Sequence, residues 1–426
     1  MAEIRLQCAK TVQKILEEKV FFSELKNDIA EKELPFANML ILTSLRYQTA
    51  LNAVLKKFVT KKIPHKHRLA EYLLKLAICE LLFMDTAPYA VINQTVQNIK
   101  QSCDKFLGGL ANAVLRRVMA QKEQLLKDID EFLLLPDSFL PLLAGYSEQE
   151  IKKISESIKR TPPLDITVKS NHLEWQKKFA ADLLANGTLR VYNAAKIQSL
   201  PEYNSGEWWV QDVASSLPVA VAGDLQGKTV IDLCAAPGGK TAQLATKGAI
   251  VTAIDISENR AHTLKQNLHR LGFDDVKVMV ADALEYMQNS AEKYDAILLD
   301  APCSATGTFR RHPEILHIKD IKDVKEQAIL QKQMLNLCSN ILKKDGILIY
   351  SVCSICKLEG EKQIAEFLSE HNEFRRVEIE MKDISPYGKW EDNLVNQNGE
   401  IRTLPYYSES QKGMDSFFIC KMQRII

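Results

Sequence analysis

The sequence predicts two kinds of structure in series: an all-helical amino-terminal region, then an α/β region built on an open, mostly parallel sheet. Three observations carry that prediction. Over residues 1–127, apolar side chains recur at helical spacing. From Thr229 onward, short continuous apolar runs alternate with amphipathic segments, the pattern of strands covered by helices on both faces. Between the two, Pro136, Pro141, Pro162 and Pro163 interrupt both patterns. The 426 residues suffice for two or three hydrophobic cores.

The first region, 1–127, reads as helices in "CAKTVQKILEEKV", "LAEYLLKLAICELLFM" and "GLANAVLRRVMAQKEQLL", with Pro35, Pro64 and Pro88 between the periodic segments. Residues 128–205 read as connecting helices followed by a small mixed α/β piece. The third region, 206–426, opens its sheet with "VIDLC", a Gly-rich turn and a helix. "IVTAIDI" and the helix "SENRAHTLKQNLHRLG" follow, then the strands "VKVMVAD" and "YDAILLDAP". A long helix from about Asp320 to Leu342 leads to the strand "ILIYSVC", the helix "EGEKQIAEFLSEH" and a late strand, "FFICKM".

Net charge is +1, but unevenly placed. Residues 1–127 hold 20 Lys and Arg against 12 Asp and Glu, and the remainder 35 against 42. A basic module joined to an acidic one suggests that the first handles a polyanion. Lys56, Lys57, Lys61, Lys62, Lys66 and Arg68 form its densest basic cluster, with Arg116 and Arg117 as further candidates. Nine scattered cysteines argue for a reducing, cytoplasmic setting rather than a disulfide framework. No apolar run approaches the roughly 18 residues of a membrane span, and the amino terminus lacks the apolar core of a signal peptide. Cys353 and Cys356 form a lone CxxC without a second pair, so no metal site is expected.

In doubly wound sheets ligands bind outside the carboxyl ends of the strands. The first such end is "DLCAAPGGKT", where Gly238 and Gly239 free the backbone to approach a ligand. A phosphate-cradling GxxxxGK[ST] loop needs glycine where Cys234 stands, and GxGxxG is absent. A nucleoside cofactor without phosphates, S-adenosylmethionine, fits better. Asp255 ends the second strand, where a carboxylate can accept both ribose hydroxyls, and Asp282 ends the third, where one can accept an adenine amino group. Each aspartate alone is as readily a turn or cap residue, but three consecutive strand ends carry one.

Cys303 follows the fourth strand, in "DAPCSATGTFRRHPE", and Cys353 ends the fifth, in "YSVCSIC". If those strands are neighbours, both sulfurs open onto one crevice beside a methyl donor. Thiols there suit methylation of a carbon that must first be activated, such as cytosine C5. Cys8, Cys79, Cys103, Cys338 and Cys420 read as small buried hydrophobes. Methylation of an amino group would want an Asn/Asp-Pro-Pro-aromatic loop where "DAPC" stands. A purely RNA-binding protein would have no need of paired thiols.

"DLCAAPGGKT", "DAPCSATGTFRRHPE" and the Y-x-x-C-S strand resemble the RNA 5-methylcytosine methyltransferases of the NOL1/NOP2/Sun group. "APYAVINQTVQNIK" and "LANAVLRRV" resemble the NusB-like helical RNA-binding domain, which among them marks the bacterial RsmB type. The resemblance implies a Rossmann-like class I methyltransferase domain with a mostly parallel seven-stranded sheet. It also implies a monomer acting on a cytosine of small-subunit (16S) ribosomal RNA. By the same resemblance Cys353 is the nucleophile, Cys303 assists release or proton removal, and Asp300 holds the cytosine edge or lies between cofactor and base. Cys234, Ala235, Ala236, Pro237, Gly238, Gly239, Lys240, Asp255, Arg260, Asp282 and Asp300 would hold S-adenosylmethionine. Arg310 and Arg311 would join the basic cluster as RNA contacts. The chain departs from the group's pattern at Val352 for threonine, at "ICKLEGE" for a Pro-Glu-Glu-Asn run, at Ser416 for glycine, and at Thr167 and Lys169 for arginine and asparagine.

Overall fold

A computed structural model describes residues 2–25, 29–192 and 196–426. The chain divides into two compact units, one of Met1–Pro141, Ser147–Arg160 and Arg311–Asp320, the other of Leu142–Tyr146, Thr161–Arg310 and Ile321–Ile426.

The first unit is helical: α1 (Ala2–Glu18), α2 (Leu34–Arg46), α3 (Gln48–Phe58), α4 (Arg68–Phe83), α5 (Pro88–Ser102), α6 (Leu107–Ala120), α7 (Lys122–Asp130) and α8 (Glu148–Ile158). Helix α4 is buried along most of its length and packs against α1, α2, α3, α5 and α6. A helix apolar nearly all round is the centre of its bundle. Its buried Glu80 is matched by Arg5 of α1, whose Nε donates at 2.8 Å. Pro35 and Pro88, expected between helices, instead stand in the first turns of α2 and α5, where a missing N–H leaves no bond unmade. The segment read as one helix over 109–126 is broken at Gln121 into α6 and α7. The unit continues past residue 127 to Arg160 and also takes up Arg311–Asp320 from the middle of the chain, which holds the short helix α14 (Ile315–Ile318).

The second unit begins with a four-stranded antiparallel sheet, order β2-β3-β1-β4, of β1 (Leu164–Val168), β2 (Asp182–Leu183), β3 (Leu189–Val191) and β4 (Trp208–Val210). Helix α9 (His172–Phe179) covers it. Inside, Arg190 grips Asp165 through two 2.7 Å bonds, both side chains fully buried. Asp165 also accepts the N–H of Val213, which starts α10 (Val213–Ala220), so the small sheet is pinned to the helix that leads into the large one.

The large sheet comprises β5 (Thr229–Leu233), β6 (Ile250–Asp255), β7 (Lys277–Val280), β8 (Tyr294–Asp300), β9 (Leu342–Val352), β10 (Phe374–Arg376), β11 (Ile401–Arg402) and β12 (Phe418–Arg424). Its path runs β10-β12-β9-β8-β5-β6-β7, with β5 to β9 parallel and β12 antiparallel to β9. The path has the seven strands expected, and β11 adds a short eighth paired to β12. Alternate residues face opposite sides. Val230, Leu298 and Ile349 join α10 and α11 (Gly239–Thr246) in one core, while Ile231, Ile297 and Leu348 join α13 (Ala283–Asn289), α15 (Ile321–Ile341) and α16 (Glu361–Glu370) in another. Helix α12 (Glu258–Arg270) packs on β6 and β7. The strand order reverses between β5 and β8, which opens a crevice at their carboxyl ends.

Candidate functional site

At the end of β5 the chain turns sharply. Cys234 lies in the left-handed region at φ 63° and Gly238 at φ 105°. A Cβ on Gly238 would sit 2.4 Å from Leu264 Cδ1, so this position needs glycine for space as well as for conformation. Beneath the loop, buried Asp232 accepts the hydroxyl of Thr241 at 2.6 Å, and its burial pushes its carboxyl up to about 7. Above it, the Ala236 N–H donates to Asp255 Oδ2 at 3.1 Å. Asp255 Oδ1 accepts the Ser257 N–H at 3.0 Å, and Arg260 stands 3.3 Å from Oδ2. Arg260 also donates to the Ala236 carbonyl at 2.7 Å, closing the loop onto β6.

A cavity of about 630 Å³ opens here. Cys234, Ala236, Asp255, Arg260, Asp282, Asp300, Cys303 and Cys353 all line it, with Ile256, Leu284, Leu330 and Met334 as its apolar walls. Of the other loop residues named from the sequence, Pro237, Gly238 and Gly239 border a separate, smaller cavity with Trp209 and Arg270, and Ala235 is buried. Lys240 turns its ammonium inward to Asp300 Oδ2 at 2.9 Å and Ser215 Oγ at 3.0 Å. Burial alone would lower the Lys240 pKa; the Asp300 charge and hydrogen bond outweigh it and raise it. Ser351 donates to the other Asp300 oxygen at 2.8 Å. Asp282 caps α13 through Oδ1, accepting the N–H groups of Leu284 and Glu285.

Strands β8 and β9 are parallel neighbours with Asp300 opposite Ser351, so the segments leaving them run side by side. Cys303 and Cys353, both half-buried and free, come to 3.3 Å sulfur to sulfur. The Cys303 thiol is raised well above the usual range, first by its hydrogen bond to Cys353 and then by burial. A thiol so placed keeps its proton, and at this distance either sulfur can donate to the other. Cys356, the other half of the CxxC, is buried, and burial raises its thiol.

The departures are absorbed locally. Val352 is fully buried in the core. Ser416 donates to the Thr403 carbonyl at 2.7 Å, Thr167 to Gln211 Oε1 at 3.0 Å, and Lys169 to the Leu271 carbonyl at 2.6 Å. Within "ICKLEGE", Glu359 is fully buried and receives donors from around both cysteines. Sequence reasoning missed it, since a glutamate in a charged stretch reads as a solvated surface.

In the helical unit, Lys56, Lys62 and Arg68 line one cavity of about 660 Å³ together with Tyr72 and Lys75. Lys57, Lys61 and Lys66 are exposed on the same stretch, and Arg116 and Arg117 are exposed on α6. Arg68 is bonded to Glu17 at 2.8 Å, and Arg311 is half-buried. Arg310 corrects the expectation of an RNA contact. It is fully buried, bonded to the Lys412 carbonyl and facing Asp415, so its charge serves the interior of the sheet unit.

Residues 222–423 match the family described as 16S rRNA methyltransferase RsmB/F, and residues 2–120 match the NusB family. A relative from Yersinia pseudotuberculosis serotype O:1b (strain IP 31758), named ribosomal RNA small subunit methyltransferase B, is 30% identical over 397 residues, 88% of this chain and 92% of that protein. The chain belongs to this family. A Yersinia pestis protein of the same name matches this RsmB/F-family chain with the same identity and coverage. Among solved structures, PH0851 shares the fold over 99% of the chain and 98% of its own, with TM-score 0.76 and 24% identity. A methyltransferase homologue from Pyrococcus horikoshii aligns over 68% of the chain and 98% of its own, with TM-score 0.53 and 25% identity. NSun6 from the same organism, solved with SFG, shares the fold over 68% of the chain and 98% of its own at TM-score 0.57 and 19% identity.

Proposed function

We propose that this RsmB/F-family methyltransferase acts on C5 of a cytosine in small-subunit ribosomal RNA, through a covalent bond between Cys353 and C6 of the base. The observation that carries the reading is the pair of sulfurs 3.3 Å apart on neighbouring strand ends, in the cavity that Asp255, Asp282 and Asp300 also line.

The donor set fits S-adenosylmethionine. Asp255 would take the ribose, Asp282 the adenine edge, and Ile256 and Leu284 the ring faces. When bound, it supplies an electrophilic methyl group on a sulfonium. The chain's own groups do the rest. Cys353 attacks as thiolate, the nucleophilic form of a thiol, with the Cys303 sulfur 3.3 Å away. Its sulfur bonds to C6, the C5–C6 π pair moves onto C5, and C5 becomes the nucleophile. Asp300, held by Lys240 and Ser351, offers its remaining lone pairs to the cytosine amino edge. Cys303 then acts in release. Its high pKa comes first from the Cys353 sulfur. Once that sulfur is bonded to carbon, this restraint is gone: Cys303 gives up its proton to solvent and, as thiolate, takes the C5 proton while the C5–C6 double bond reforms and Cys353 leaves as thiolate. The base must first leave its stack, which costs a few kcal/mol and favours a single-stranded or loop target. The basic stretch from Lys56 to Arg68, with Arg116 and Arg117, supplies phosphate contacts, and the enzyme works as a monomer in the cytoplasm.

The test is to mix small-subunit RNA with each cysteine variant and run denaturing gels. Cys353→Ala should give neither methylation nor adduct. Cys303→Ala should accumulate a methylated covalent adduct. The opposite pattern would transfer the nucleophile to "DAPC" and sink the mechanism. Bisulfite mapping identifies the cytosine.

A further inference from the structure

Resting on that reading, we infer that Glu359 is a positioning residue that sets the spacing of the two thiols. The Glu359 side chain is fully buried in the segment between β9 and α16. Its Oε2 accepts the hydroxyl of Ser304 at 2.6 Å and the hydroxyl of Ser354. Its Oε1 accepts the Ser304 N–H at 2.8 Å and Gln331 Nε2 at 3.0 Å. A carboxylate offers about four acceptor sites, and here all are filled. Ser304 follows Cys303 and Ser354 follows Cys353, so one oxygen atom joins the residues next to both sulfurs.

The remaining contacts tighten the same unit. Gln331 of α15 also donates to the Pro302 carbonyl at 2.8 Å, on the other side of Cys303. Thr306 Oγ1 lies 3.0 Å from both the Ser304 and Ser354 hydroxyls, and Gly307 N–H donates to the Cys353 carbonyl at 3.0 Å. The Glu359 carbonyl accepts the Tyr350 hydroxyl at 2.7 Å, anchoring the carboxylate's own backbone to β9. Two loops that leave neighbouring strands are free to splay, and a buried acceptor saturated by donors from both removes that freedom. Glu359 does not line the cavity, so its effect reaches the reaction only through the cysteines.

Misplacing a reacting group by about 1 Å can cost on the order of 100-fold in rate. Glu359→Gln keeps the shape but puts an amide donor among four donors. We expect kcat for tritiated-methyl transfer to small-subunit RNA to fall by roughly tenfold or more. KM for RNA and calorimetric Kd for S-adenosylmethionine should stay within about twofold of wild type. Built into a Cys303→Ala background, the substitution should slow adduct formation by the same factor. A kcat within about twofold of wild type, or a loss confined to KM, overturns the proposal. If Glu359→Gln does not melt cooperatively, Ser304→Ala and Ser354→Ala replace it. Each removes one hydroxyl donor and should lower kcat at unchanged Kd; unchanged kcat in both overturns the proposal. Tritium counts methyl transfer at any position. A wild-type enzyme that methylates elsewhere than C5 would therefore sink the function proposed above, while the rate ratio between wild type and Glu359→Gln still tests the positioning role.

Discussion

Asp255→Ala tests the cofactor assignment with a magnitude that the geometry fixes. From its place at a strand end alone, this carboxylate could take both ribose hydroxyls. In the fold, two of its roughly four acceptor sites are filled by Ala236 N–H and Ser257 N–H, and the Arg260 guanidinium, 3.3 Å from Oδ2, covers a third. One site remains, on Oδ1. One charge-assisted hydrogen bond is worth about 1.5–3 kcal/mol, so affinity for S-adenosylmethionine should fall by about 10- to 150-fold rather than by the square of that. Titration calorimetry of the variant reads the number directly. Thermal melting without ligand should be measured beside it, since the two orphaned N–H groups also loosen the loop. Unchanged affinity would remove Asp255 from the site. A loss of several thousandfold would refute the count of acceptor sites and require Arg260 to swing away on binding.

Three further outcomes follow from the same geometry. Lys240→Met should leave the Asp300 carboxylate with one partner fewer, so methyl transfer should fall by roughly tenfold, and a rate equal to wild type would exclude Lys240 from positioning Asp300. Reversing Lys61 and Lys62 to Glu should flatten the plot of log affinity for RNA against log salt by about 0.7–0.9 for each phosphate no longer neutralised, and an unchanged slope would make these lysines solubility features. His317 donates to the Leu45 carbonyl and is held down to about 4 by burial, against an ordinary value near 6.5. The unfolded chain then binds the proton more readily than the folded one, so stability should drop as pH falls from about 6.5 toward 4, and His317→Gln should lessen that slope in acid melting curves.

The sheet was legible because its strands are buried on both faces, and a continuous apolar run such as "AILLD" is hard to read otherwise. The two strand-end cysteines were legible for the same reason, since a strand end is a fixed place in this kind of sheet. Three things were not. The small α/β piece was read, but not what holds its sheet: Asp165 and Arg190 are two charged residues 25 apart that give no periodic signal. Lys240 lies in the glycine loop, yet its ammonium turns to a carboxylate 60 residues away; spacing cannot encode that direction. Arg310 and Arg311 are adjacent and identical in type, but one is sealed in the interior and the other is half-buried. Charge in a sequence reports capacity for contact, while burial decides the partner.

The ten residues Arg311–Asp320 leave the catalytic half of the chain and are counted with the helical one. Ile315, Leu316 and Ile318 in this stretch are fully or almost fully buried, and Phe22 N–H donates to Glu314 at 3.3 Å. The polypeptide therefore stitches through the boundary rather than crossing it once. Expressing the chain in pieces cut at residue 127 or 205 would separate Arg311–Asp320 from the unit it packs in. It would strip a short apolar segment of its cover just after the loop that carries Cys303, leaving a sticky surface on one fragment and a gap in the other. Shuffling the helical module onto another enzyme would require moving two pieces together.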